Sequence, residues 1–202
     1  MKRTIFTIAA LSITTLMHAT VRDTVNINRG WQFHLGPLSG VSDMRTAKTQ
    51  TVNLPHDFLI NQPWVEPDAS ERPDNSDAGS NVRSRLSPRG FKEMNTGWYR
   101  YELTPAAEWK GRRVMLDFQG IMLVGDVWVN GELVGGTDYG YLGFDIDITD
   151  RLRFDSPNEI VVKADTREPN NSRWYTGGGL YRDVNIIVTD RKLYFPRHPL
   201  FI

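Results

Sequence analysis

The stretch GDVWVNGELVGG, residues 125–136, sets the reading of the rest of the chain. Asn130-Gly131 is the dipeptide favoured in a two-residue hairpin loop, because both central positions of that turn take positive φ. On one arm Val127 and Val129 alternate with Trp128, and on the other Leu133 and Val134 follow. The pattern predicts a β-hairpin, and the segments on either side repeat its period of two. Downstream, GFDIDITDRL (143–152) sets Phe144, Ile146 and Ile148 against Asp145 and Asp147, a strand with one wet face. NEIVVKAD (158–165) and RDVNIIVTD (182–190) read as two more strands. Upstream, GWYRYELTP (97–105) alternates Trp98, Arg100 and Glu102 with Tyr99, Tyr101 and Leu103. TVNLPHDF (51–58) reads as a strand edge ending at Pro55, and INRGWQFHLG (27–36) as a short strand with Trp31, Phe33 and Leu35 on one face.

Residues 64–90 carry Pro, Ser, Asn, Asp and Gly with few apolar side chains, the composition of a long loop. Beyond the N-terminal segment no stretch of more than ten residues keeps helical spacing, and no fixed-period repeat is present. Many short strands separated by turns predict an all-β fold, an antiparallel sandwich or barrel. The long excursions between strands favour a jelly-roll sandwich.

The 202 residues hold 24 Lys+Arg against 24 Asp+Glu, which argues against nucleic acid as a partner, since phosphate binding needs a basic surplus or face. Lys2 and Arg3 precede a mostly apolar run from Thr4 to Met17, with Ala19 a plausible last residue before a cut. Residues 1–19 therefore read as an export signal, too short and too rich in Ser and Thr for a membrane span. An exported chain without cysteine must be stabilised by core burial, and six Trp, seven Tyr and nine Phe supply the material.

Catalytic constellations are not indicated. Asp145 and Asp147 lie two apart on one strand and point the same way, about 7 Å apart along it. Glycoside hydrolysis needs two carboxyls facing each other across a sugar, roughly 5 Å apart for retention. Asn158-Glu159 follows Ser156-Pro157 and reads as a turn-to-strand step. His18, His34, His56 and His198 lack ligand spacing, so no metal and no cofactor is expected. Gly177–Gly179 neither follow a strand nor open a helix, which removes a phosphate-cradling reading. NNSRWYTGGGLYRDV (170–184) remains, with Arg173, Trp174 and Tyr175 beside that triple glycine. On residue type alone, Trp174 or Tyr175 could plug one end of the fold. Equally, the loop could present a planar cation and an aromatic face to a polyhydroxylated ligand.

Six elements in order, RGWQFHLG, LPHDF, TGWYRYEL, VWVNGELVGG with YGYLGFDIDIT, NEIVVKAD and NSRWYTGGGLYRDV, resemble the N-terminal domain of glycoside hydrolase family 2, nearest its β-galactosidase branch. The resemblance covers residues 26–190 and implies a galactose-binding-domain-like jelly roll, the sugar-binding domain. It further implies that an immunoglobulin-like domain and a (β/α)8 barrel with the catalytic glutamates follow. Residues 191–202 would then be a linker or the start of the second domain. The same resemblance implies that Arg173 contacts a sugar hydroxyl, with Asn171 and Trp174 behind it, and that Asp57 occupies a recurrent position that could equally cap a turn. Arg182 and Asp183 are expected to pair within the fold, and Gly177–Gly179 to turn the chain so that a strand resumes at Leu180.

The expectation is a non-catalytic module of an exported, periplasmic or extracellular glycosidase acting on a terminal β-linked sugar, a galactoside. A free-standing carbohydrate-binding module and a purely structural buttress are the alternatives.

Overall fold

A computed structural model describes residues 22–64, 92–167 and 175–195. The expected signal, most of the 64–90 loop, and Asn171, Arg173 and Trp174 lie outside the described residues, as does the end of the tail.

Among the described residues ten strands make two antiparallel sheets. They are β1 Asp23–Asn26, β2 Trp31–Leu35, β3 Gln50–Val52, β4 Thr96–Leu103, β5 Arg113–Phe118, β6 Val124–Val129, β7 Glu132–Thr137, β8 Phe144–Asp147, β9 Asn158–Asp165 and β10 Val184–Thr189. One sheet runs β1-β10-β5-β8 and the other β3-β2-β4-β9-β6-β7. Helical structure among the described residues is limited to short 3-10 turns such as Val41–Arg45 and Thr149–Arg151. This is the antiparallel jelly-roll sandwich expected from the strand pattern, with most neighbours in each sheet non-consecutive in sequence.

The hairpin forms as its dipeptide demands: Asn130 has φ 52° and Gly131 φ 86°. Val127 pairs with Gly135 while Trp128 pairs with Leu133, so a bulge adds a residue to β7 and sharpens its twist. Asn130 also joins the hairpin to β9, because its Oδ1 accepts from Glu159 N at 3.1 Å and its Nδ2 donates to Asn158 Oδ1 at 2.9 Å. Asn158 and Glu159 are thus the first residues of β9 rather than turn residues. Asn158 is fully buried, with its amide donating to Arg153 O and accepting from Arg153 N, both at 2.8 Å.

The core lies between the sheets. Trp31, Phe33, Tyr99, Leu116, Phe118, Val127, Ile160 and Ile186 pack into one cluster. Each large side chain taken fully out of water contributes on the order of 1.5–3 kcal/mol. Leu35, expected on the same face as Trp31 and Phe33, lies at the strand end and is exposed. The alternation in β4 holds, with Tyr99 and Leu103 facing the core, but its other face is not simply wet. Trp98 is buried in a second cluster with Met44 and Val161, stacked on Trp128 at 5.7 Å between ring centroids. The 3-10 turn Val41–Arg45 supplies Met44, so a turn from the β2–β3 connection caps the outside of the larger sheet.

β1 and β5 were not identified individually from the sequence. β5 runs RVMLDF with a nearly unbroken buried pattern, because it sits between β10 and β8. Val114, Leu116 and Phe118 face the core, and Met115 and Asp117 between them are buried as well.

Candidate functional site

β3 ends at Val52, and the chain passes through Pro55 to a segment, 56–58, that pairs with the triple glycine. His56 N donates to Leu180 O at 2.8 Å and Phe58 N donates to Gly178 O at 3.0 Å. Between them, Asp57 Oδ1 accepts from Leu59 N at 3.0 Å and from Gly178 N at 2.8 Å. Its Oδ2 accepts from the Tyr175 hydroxyl at 2.6 Å. A charged acceptor with two backbone donors and a phenol fixes the turn from both sides.

The glycines are needed for two reasons. Gly177 and Gly179 take φ values of 76° and 107°, the region costly for any side chain. A Cβ on Gly178 would come within 2.8 Å of Leu59 and of Thr166, and one on Gly179 would overlap the Tyr99 hydroxyl. On its far side the loop is stitched to the β5–β6 connection, Gly179 N donating to Met122 O at 2.7 Å and Met122 N to Gly179 O at 2.9 Å. Tyr181 then donates its hydroxyl to Gly140 O in the β7–β8 connection at 2.8 Å. Four connections therefore converge on one end of the sandwich. The strand itself resumes at Val184, later than the expected Leu180.

Beneath the glycines, fully buried Tyr99 meets His56, Nδ1 to hydroxyl oxygen at 2.9 Å. Burial drives the Tyr99 hydroxyl pKa far up, so it stays protonated. Burial also lowers the His56 pKa, against the opposing pull of the Asp57 charge, and the imidazole is held neutral. Sequence reasoning did not find this pair. Assigning Tyr99 to the core face was the available clue, since a buried phenol requires a hydrogen-bond partner.

Of the sequence-derived site residues, Asp57 is therefore placed, at the centre of the junction. Thr166 packs against Gly178 and Tyr175 bonds to Asp57, so both flanks of the stretch 168–174, which holds Asn171, Arg173 and Trp174, reach this end of the fold. Arg167 is pinned there by Asp165, Nη2 to Oδ2 at 2.6 Å. Arg182 and Asp183 do pair within the fold, though not with each other. Asp183 accepts from Asn28 at 2.8 Å, and Arg182 donates to the carbonyls of Gln119 and Tyr141.

The carboxylates weighed from the sequence have other partners. Asp147 is ion-paired to Arg113, and Glu159 to Arg45 and Arg100 at 2.8 and 2.7 Å. Among the described residues no group of three His, Cys, Asp or Glu is arranged to hold a metal ion.

Residues 90–176 match the profile of the glycosyl hydrolase 2 galactose-binding domain-like family. The chain belongs to glycoside hydrolase family 2, as its galactose-binding-like N-terminal domain. It is similar to the β-galactosidase BoGH2A of Bacteroides ovatus, 32% identical over 165 residues that make up 81% of this chain and 18% of that protein. A β-glucuronidase of Bacteroides fragilis is 26% identical over 185 residues, 89% of this chain and 22% of its own length. The crystal structure of a family 2 member from Bacteroides cellulosilyticus superposes with a TM-score of 0.66 at 33% identity, covering 83% of this chain and 20% of that one. The family 2 chain thus spans about a fifth of the length of these curated relatives. No helix among the described residues is long and apolar enough to cross a membrane.

Proposed function

We propose that this family 2 domain forms one wall of the sugar pocket of an exported β-galactosidase-like enzyme. In this reading the glutamates that cleave the bond belong to a (β/α)8 barrel, joined through an immunoglobulin-like domain that begins near residues 191–202. The observation that carries the proposal is the Asp57–Gly178–Tyr175 junction, which holds the residues that follow Asn171, Arg173 and Trp174 in the chain at one end of the sandwich. In this reading the Arg173 guanidinium donates to sugar hydroxyls. Asn171 and Trp174 add an amide and an aromatic face, and Asp57 holds the frame or contacts the sugar through its remaining acceptor capacity. The relatives named as β-galactosidase and β-glucuronidase both support action on a terminal β-linked sugar, and the 32% match to the former favours a galactoside. Residues 1–19 direct export to the periplasm or the medium.

The test has two arms. The 202-residue chain alone is expected to leave nitrophenyl β-galactoside intact, and turnover by it would end the reading. In the enzyme that carries this domain, Arg173→Ala is expected to lower kcat/KM by about 1–3 kcal/mol with folding unchanged. An unchanged kcat/KM would leave the domain a buttress that touches no sugar.

A further inference from the structure

Asn130 and Gly131 form the tip of the β6–β7 hairpin and are the one Asn-Gly pair among the 202 residues. The dipeptide that suits this turn is also chemically labile. Glycine has no side chain to shield its amide nitrogen, so Gly131 N can attack Asn130 Cγ once the two come into line. The new N–C bond closes a five-membered imide, the Cγ–Nδ2 bond breaks, and ammonia leaves with the proton of the Gly131 amide. Water then opens the imide at either carbonyl, giving Asp or isoaspartate at position 130.

In the folded hairpin the groups that must move are all engaged with β9 and the turn before it. Asn130 N donates to Glu159 O at 2.8 Å, and Asn130 Oδ1 accepts from Glu159 N at 3.1 Å. Asn130 Nδ2 donates to Arg151 O and to Asn158 Oδ1, each at 2.9 Å. Asn158 does not turn its amide over to suit a changed partner, because it is fully buried and its own Nδ2 donates to Arg153 O at 2.8 Å. Swinging Cγ onto Gly131 N therefore breaks all three hydrogen bonds of the Asn130 carboxamide, each of them to a partly or fully buried group.

The change is also one-way. A carboxylate at position 130 still accepts from Glu159 N, but it sets an oxygen where Nδ2 stood, against the oxygens of Arg151 and Asn158. Isoaspartate adds a backbone atom to a turn whose two residues already fix its twist. We propose that Asn130 is a modification site that the fold keeps closed: it deamidates only in molecules whose β6–β7 hairpin has left β9, and the product no longer docks there.

Incubation of the 202-residue chain in mildly alkaline buffer, with and without urea, followed by peptide mass and isoaspartate analysis, decides it. The unfolded chain should gain about 1 Da at Asn130, and the folded chain should do so at least about 10-fold more slowly. Gly131→Ala should suppress the reaction in urea. Asn158→Ala should speed it in the folded chain and leave the unfolded rate alone. If that variant proves unfolded, the unaltered chain in urea short of its transition decides the same point, because its rate should rise in step with amide exchange in β7. Asn130→Asp, which installs one product directly, should unfold at a lower urea concentration than the unaltered chain. Equal rates in the folded and unfolded chain, a rate that ignores β7 exchange, or an Asn130→Asp chain as stable as the unaltered one would overturn the proposal.

Discussion

The Asp57 carboxylate and the Tyr175 hydroxyl, 118 residues apart in the chain, meet at 2.6 Å. The other oxygen of the same carboxylate takes the Gly178 N–H at 2.8 Å, so one side chain closes a turn supplied by a distant part of the sequence. The residue held here, Tyr175, is the one that follows the stretch 168–174 in the chain.

Asp57→Ala should remove all three hydrogen bonds to the carboxylate and leave the Gly178 N–H without its partner. The expected loss is about 2–4 kcal/mol of unfolding free energy, with Asp57→Asn recovering part of it through the retained oxygen. Urea denaturation gives the size of the loss. Amide exchange at Gly178 tests its location, since a loss spread evenly over the fold would contradict a local clamp.

Gly179→Ala should be more damaging than its single methyl suggests. The residue has φ 107°, and the added Cβ would overlap the hydroxyl of fully buried Tyr99. Strain and overpacking together should cost about 3 kcal/mol or more. Ala at Gly111, which also has positive φ but open space around a Cβ, should cost less. Equal thermal shifts in the two variants would show that backbone strain alone decides both.

Met44→Ala should destabilise the fold by about 2–4 kcal/mol, although Met44 belongs to a short connecting turn. The side chain is 2% exposed and covers Trp98 and Val161 on the outside of the larger sheet. Trp fluorescence should shift to the red in the folded variant as Trp98 and Trp128 gain access to water. An unshifted spectrum would place the turn's contribution elsewhere.

Acid should weaken the fold in two stages. Burial holds the folded-state pKa of His56 below its ordinary 6.5, so the unfolded chain takes up the proton first and stability declines as pH falls through that value. Burial pushes the carboxyls of Glu159 and Asp165 upward, but the former is overcome by hydrogen bonds and charge from Arg45 and Arg100, the latter by Arg167 and Lys163. Both end below their ordinary values of 4.5 and 3.8. Their contribution is complete above those values and disappears below them. The urea midpoint should therefore fall first below about pH 6.5 and again below about pH 4.5. His56→Gln should flatten the upper stage and spare the lower, and an upper stage that survives the change would belong to another group.

The strands that could be read directly were those whose instructions are local. Asn130-Gly131 fixes a turn by the φ values its two residues tolerate, and β4, β8 and β9 declare a face by alternation within a few positions. The family motifs named Asp57 and the 170–184 stretch as places to look, without connecting them. Which strands become neighbours depended on contacts far apart in sequence. β4 lies between β2 and β9, and β9 between β4 and β6, arrangements that no short window contains. That closure buries Met115 and Asp117 of β5 as well as its core-facing Val114, Leu116 and Phe118. It brings Met44 over Trp98 and lets the Tyr99 phenol find His56. The pairing of Asp57 with Gly178 has the same origin: backbone preference and side-chain period act over a few residues, whereas a hydrogen bond across 121 positions exists only once the two sheets have closed on a common core.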